Sequence, residues 1–358
     1  MRDPREIAGV QLATPVRMLP LQPVHAASDV ARDPKTVLTN AAAAAVRAPS
    51  TYNTQPWKLR IAGEVLELHA DRTRHLPVID GDLRQLVQSC GCALFNARVA
   101  VRAMGYRDEV TMMVTSAVDR DLLATLHLGA PMITSNLDHE LVHAIASRRT
   151  NRRAFQARPV GMDAAARLID AAAREGAWMV RLEPDEKYAL GRIVDEADQL
   201  QYGDPGFRAE LARWLRPRGS MRRDGIPFGE KEYGSAMPFS VMRSLRSPSL
   251  ASTFGAIEES RIDSAPFVAV IGTYRDDPID WLAAGQALEA VLLHATSLGM
   301  SAAFLNQALE IPAMRARVAE LAGSAGFPHM VLRIGYPSAS VEHPAPRRAL
   351  DDVLDVIA

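Results

Sequence analysis

Cysteine is almost missing from this chain: two residues in 358, Cys90 and Cys92, on either side of Gly91 in an apolar helical pattern. Two thiols so placed are neither a disulfide framework nor a complete set of metal ligands. An excess of charge of either sign is missing too, with 41 Lys plus Arg against 42 Asp plus Glu. Nothing in that balance points to nucleic acid or an anionic membrane as partner. No stretch is long and apolar enough to span a bilayer. The first residues carry Arg2, Asp3, Arg5 and Glu6 with no apolar run after them, which is not the pattern of a secretory signal. A dinucleotide fingerprint of the GxGxxG type is also absent. The expectation is a cytoplasmic protein whose partner is a small molecule, without nucleic acid or membrane.

What is present is globular composition, 48% hydrophobic and 23% charged, in a chain long enough for one large domain or two of ordinary size. Residues 1–30 hold Pro4, Pro15, Pro20 and Pro23 and no clean periodicity, which reads as an N-terminal arm laid over the surface. An alanine-rich helical run, Asn40 to Val46, leads into a polar loop and then an alternating segment, Trp57 to Ala70, a hairpin turning at Gly63. From Asp82 to Met104 apolar residues recur at three- and four-residue steps, the stripe of a long buried helix stopped at Gly105. Glu109 to Ser116 and Leu122 to Leu128 read as strands, Asp163 to Arg174 and Asp185 to Gln201 as helices, with a strand, Trp178 to Leu182, between those helices.

Regular pattern fails from Gly203 to about Leu250, where Pro205, Pro217, Pro227, Pro238 and Pro248 interrupt it. Phe228, Tyr233 and Phe239, with Met221 and Met237, are suited to covering a flat ligand, so residues 203–250 read as a lid or as a plain surface insertion. Beyond it, Ala265 to Gly272 and His329 to Tyr336 read as buried strands and Trp281 to Leu298 as a buried helix. The tail from Pro337 reads as charged turns.

Three motifs bear on chemistry. Ala48 to Trp57, APSTYNTQPW, has its backbone restrained by Pro49 and Pro56. Ser50, Thr51, Asn53, Thr54 and Gln55 offer side-chain donors and acceptors within six residues. Such a loop suits a flat polar ligand, and it is also what a capping turn looks like. His139, Glu140 and His143 form HELVH, the zincin spacing, but no third ligand stands in a suitable place downstream, and a solvated helix start reads the same way; no metal is expected. Arg148 to Phe155, RRTNRRAF, concentrates guanidinium groups in a chain of neutral balance, which favours a compact anion site over a nucleic-acid patch.

The loop, with Pro49, Ser50, Asn53, Gln55, Pro56 and Trp57 all in place, resembles the signature of the FMN-dependent nitroreductase family. The arginine run resembles that family's RRSxRxF-like segment, which grips the FMN phosphate and ribityl chain, with Asn151 where the family usually has Ser. The resemblance implies an α+β nitroreductase-like fold of mixed sheets flanked by helices. It implies FMN as cofactor, held by Arg47, Pro49, Ser50, Thr51, Asn53 and Gln55 from the loop and by Arg149, Thr150, Asn151 and Arg153 from the arginine segment. Arg347 and Arg348 match basic residues near the family's C-terminus, and Leu298, Gly299 and Met300 match its segment beside the flavin edge, where a backbone N–H can donate to N5.

Two stretches repeat. Gly91, Ala93, Leu94 and Gly105 match Gly285, Ala287, Leu288 and Gly299 at identical spacing, and in each half a helix, a loop and a strand come before. The first half has the loop without an arginine segment before it; the second has the arginine segment but only REGAW, Arg174 to Trp178, where the loop should be. The chain therefore resembles the Acg branch of nitroreductases, known from actinobacteria, in which two degenerate halves are fused, here 31–135 and 136–358. The resemblance implies one composite flavin site, a dimer interface satisfied within one chain so that a monomer is possible, and electron transfer from NAD(P)H to a nitroaromatic or quinone in ping-pong fashion. Hydride transfer needs no side-chain acid or base, so no catalytic residue is named. The alternative is a flavin-sequestering protein whose 203–250 lid occludes the ring.

Overall fold

The computed structural model describes residues 33–112, 119–217, 219–228, 262–323, 326–338 and 345–357. The expected arm, 1–30, lies outside them, as do Tyr233, Met237 and Phe239 of the expected lid.

Helix α1 (Pro34–Ala45) starts where Asp33 accepts from the Thr36 amide and Pro34 supplies a preset φ. The hairpin β1 (Trp57–Ala62) and β2 (Val65–Ala70) follows, its turn made by Gly63 at φ 58°. Then come α2 (Arg84–Ala103), β3 (Tyr106–Met112) and β4 (Leu122–Pro131). The second part opens with α3 (Asn136–Ser147), α4 (Met162–Arg174), β5 (Trp178–Arg181) and α5 (Pro184–Gly203). After α6 (Pro205–Trp214) and the short β6 (Leu215–Pro217) and β7 (Ile226–Phe228) come β8 (Phe267–Thr273) and α7 (Pro278–Ser297). The chain finishes with β9 (Ser301–Phe304), α8 (Pro312–Leu321), β10 (Phe327–Gly335) and β11 (Leu354–Ile357).

Two sheets result. One runs β11-β1-β2-β4-β3, antiparallel except for the parallel pair of β1 with β11; the other runs β5-β8-β10-β9 and is antiparallel throughout. β11 was not foreseen in the charged tail. Four residues pair with a strand almost 300 positions earlier, Leu354 opposite Leu59, and a short edge strand shows little of its period in sequence. Residues 203–228 also depart from expectation, because the stretch is not patternless there. Asp204 caps α6 by accepting from Gly206 at 2.8 Å, Pro205 opens the helix, and Phe207 and Leu211 pack with Leu76, Ile79 and Ile226.

Helices α2 and α7 cross at the centre of the main core, and the crossing is set by two glycines. A Cβ on Gly91 would stand 2.3 Å from the Leu282 carbonyl oxygen, and one on Gly285 would stand 2.0 Å from that of Gln88. Only glycine permits so close an approach of two helix backbones. These are the first matched positions of the internal repeat, and they meet each other at the crossing.

Candidate functional site

The loop 46–56 leaves α1 with Tyr52, Asn53 and Gln55 at φ 51°, 54° and 51°, a region that non-glycine residues rarely occupy. Hydrogen bonds hold it there. Ser50 Oγ accepts from the Gln55 amide at 2.9 Å, and the Thr51 hydroxyl donates to Gln85 Oε1 at 2.9 Å. Gln55 is fully buried; its Nε2 donates to the Arg223 carbonyl and its Oε1 accepts from the Arg348 amide, each at 2.8 Å. Asn53 Nδ2 donates to the carbonyls of Gly225 and Pro346, both at 3.0 Å. Asn53 and Gln55, expected as flavin ligands, thus fasten the loop to residues 223–225 and to the tail.

The tail delivers Arg347 to the loop's inner side. Its guanidinium donates to Asn53 Oδ1 at 3.0 Å, to the Ala48 carbonyl at 3.2 Å and to the Arg47 carbonyl at 3.3 Å, beside the buried Pro49. Around it stand Arg47, Arg148 and Arg149, close enough for their charges to press on one another. Burial and then the neighbouring Arg148 push Arg347 down to about 9, with Glu289 pulling the other way. Burial and Arg148 likewise lower Arg47, and burial, Arg148 and Arg47 lower Arg149. Arg149 donates to the Ala146 carbonyl at 2.9 Å, one of the free ends of α3, so its head is turned back towards that helix terminus.

Thr150 and Asn151 run beside β9, Thr150 bridging to Ala302 and the Asn151 amide donating to the Ala302 carbonyl at 2.8 Å. This contact brings the segment that follows α7 alongside the arginine segment. Arg47 Nε, Arg148 Nε, Asn151 Nδ2 and Ser301 Oγ are all buried without a hydrogen-bond partner. Buried donors left unmade cost about 1 to 3 kcal/mol each, and unpartnered donors on Arg47 and Arg148, within a cluster of positive charge, fit an anionic ligand such as a phosphate.

Five expected residues are not gathered there. Arg348 turns away from the cluster: its head lies 3.8 Å from Asp71 and donates to the Asp352 carbonyl at 2.9 Å. It borders an open cavity of about 360 Å³ shared with Met221, Arg223 and Asp224. Arg153 lies exposed beyond the turn at which its amide donates to Asn151 Oδ1 at 3.0 Å. Leu298, Gly299 and Met300 form a helix end stopped by glycine, with Gly299 at φ 74°. Their amides donate to His294, Thr296 and Ala295 carbonyls at 3.2, 3.0 and 2.8 Å. In this structure all three amides are used by the helix terminus. Conversely, Arg148, Glu289 and Ser301 join the site without having been singled out. Glu289 did leave a signal, a lone carboxylate in the apolar run ALEAVLL. Of the zincin pattern, His139 bonds Thr134 and Glu140 pairs with Arg167. Among the described residues no group of three or more potential ligands gathers for a metal.

No family model matches the chain. A Mycobacterium tuberculosis protein provisionally named an NAD(P)H nitroreductase is 34% identical over 328 residues, 90% of each chain. The chain belongs to the nitroreductase family. It falls on the Acg branch: the M. tuberculosis protein acg, provisionally named an NAD(P)H nitroreductase as well, is 30% identical over 331 residues, 90% of this chain and 96% of its own. Among solved structures, an FMN- and NADPH-dependent nitroreductase from a Sphigopyxis strain aligns with 60% of this nitroreductase-family chain and 97% of its own, at 21% identity and a TM-score of 0.36. A BluB-like flavoprotein from Clostridium difficile aligns with 61% and 99%, at 14% identity and a TM-score of 0.41. The α+β fold expected from the motifs is that of a nitroreductase-family protein, and no helix among the described residues is long and apolar enough to cross a membrane.

Proposed function

We propose that this chain binds one FMN between its halves, 31–135 and 136–358, and uses it to pass electrons from NAD(P)H to a nitroaromatic or quinone. The observation that carries the reading is the group of four arginines, two of which, Arg148 and Arg347, face the single carboxylate of Glu289, with buried donors left unpartnered on Arg47 and Arg148. Arg47 comes from the first half and Arg148, Arg149 and Arg347 from the second, so a phosphate held by all four is held by both halves. When bound, FMN supplies the hydride chemistry, taking electrons from one substrate and giving them to the next at the same face. The protein's part is to bind the phosphate with the arginines, to position the ring against Pro49, Ser50 and Thr51, and to exclude water beneath the 46–56 loop. The names of the relatives support NAD(P)H as donor.

A second reading is supported by the bonds from Asn53 and Gln55 to residues 223–225. The described part of the lid segment is tied to the loop that would face the ring, as a flavin-sequestering protein would need. Anaerobic mixing of the FMN-loaded chain with NADH, then NADPH, distinguishes the two. Rapid bleaching of the visible flavin band, reversed by a nitroaromatic or quinone, is the result expected of the oxidoreductase. A band that only dithionite bleaches would assign the chain to flavin holding.

A further inference from the structure

Glu289 lies on α7 and is fully buried. Neither of its carboxylate oxygens has a hydrogen-bond partner; Arg148 Nε, equally without one, is 3.7 Å away. The charged or titratable groups facing it are Arg148 from the end of α3, Arg347 from the tail and Cys92 from α2, with the neutral Asn96 beside them. A desolvated carboxylate is costly, and Arg148 is the largest offset to that cost, followed by Asn96 and Arg347. The same arginines are the donors an incoming phosphate would use, so carboxylate and phosphate compete for Arg148.

We propose that Glu289 is the resident counter-anion of the arginine cluster, and that seating a phosphate monoester on those arginines draws one proton from solvent onto the Glu289 carboxylate. Four guanidinium groups can stay charged in a buried place only with an anion among them, and Glu289 fills that role until the ligand arrives. Burial already pushes its carboxyl up to about 7, against the pull of Arg148, and a dianion nearby pushes it further in the same direction. The protonated acid then becomes a neutral donor at the base of the site.

The sign of the pH dependence follows. A phosphate monoester, with a second pKa of about 6, is already dianionic above pH 7. Between pH 7 and 8 the site must take up a proton that the free protein has increasingly given up, so affinity falls as pH rises, by at most about tenfold per unit.

This inference rests on the FMN reading and is tested with the flavin-free full-length chain titrated with FMN. Binding is followed by flavin fluorescence from pH 6.5 to 8, in the natural protein and in Glu289→Gln. The natural protein should lose affinity with rising pH; E289Q should bind with little pH dependence and tighter at pH 8. Calorimetry in two buffers of different ionisation enthalpy should count an uptake approaching one proton in the natural protein near pH 8, a count that decides alone if E289Q does not fold. Tight binding with neither pH slope nor proton uptake, or the same slope in E289Q, would overturn the linkage and leave the FMN site standing. Failure of FMN to bind at any pH would overturn both.

Discussion

The ends of α1 and α4 occupy corresponding places in the repeat, and they treat arginine in opposite ways. Beyond α1, Arg47, Arg148, Arg149 and Arg347 stand together with Glu289 facing only Arg148 and Arg347, and three of the four are held below their usual basicity by burial and by one another. Beyond α4, Glu175 closes on Arg98, which also bonds Asp108 at 2.7 Å and Gln286 at 2.8 Å. Arg102 beside it meets Asp108 at 2.9 Å and Asp138 at 3.3 Å. Burial works against the charge of Arg98, yet Glu175 and Asp108 raise its basicity overall. The residue four beyond the matched glycine tells the same story: Glu289 on α7, and on α2 Phe95, whose ring lies 5.6 Å beneath the Arg98 guanidinium. An arginine whose charge is matched within the protein is structural, whereas a cluster left unmatched is waiting for an anion.

The comparison can be broken at its root. Gly285→Ala places a methyl group against the Gln88 backbone at the crossing both ends depend on, and should cost about 3 kcal/mol or more, at the upper end for overpacking. Urea unfolding should show it together with a loss of bound flavin; unchanged stability would mean that the helices separate without penalty. Arg347→Ala removes two or more charge-assisted contacts worth roughly 1.5 to 3 kcal/mol each, so flavin retention should fall by about 100-fold or more. Full flavin content in that variant would deny the cluster its role. Arg98→Met should act in reverse, lowering stability by about 2 kcal/mol because Asp108 and Glu175 lose a partly buried partner, while flavin affinity stays the same. Loss of flavin without loss of stability would erase the distinction between the two ends.

Much of the protein was open to reading from residues alone, because those features depend on near neighbours. Periodicity marked α2 and α7, Gly63 and Gly105 marked the turns they make, and the order PSxxNxQPW marked the loop. The pair Asp204-Pro205 was a readable helix start that the prolines after it obscured. Where reading failed, the deciding partner lay far away in the chain. Arg347 and Arg348 are adjacent and chemically identical, yet one meets Asn53 and Arg148 and the other meets Asp71 and Asp352. No periodicity separates them, since the direction of a side chain in an irregular tail is set by what packs around it.

The amino-acid sequence by itself determined the helices, the hairpin, the polar loop and the presence of many arginines in few places, since each follows from spacing, turn chemistry and local propensity. Only the tertiary structure decided which arginines go unmatched, that Glu289 lies among them, and that β11 returns to the first sheet. Charge compensation and edge pairing are properties of distance in space, and contacts such as Arg148 with Glu289 and Leu59 with Leu354 join residues far apart in the chain.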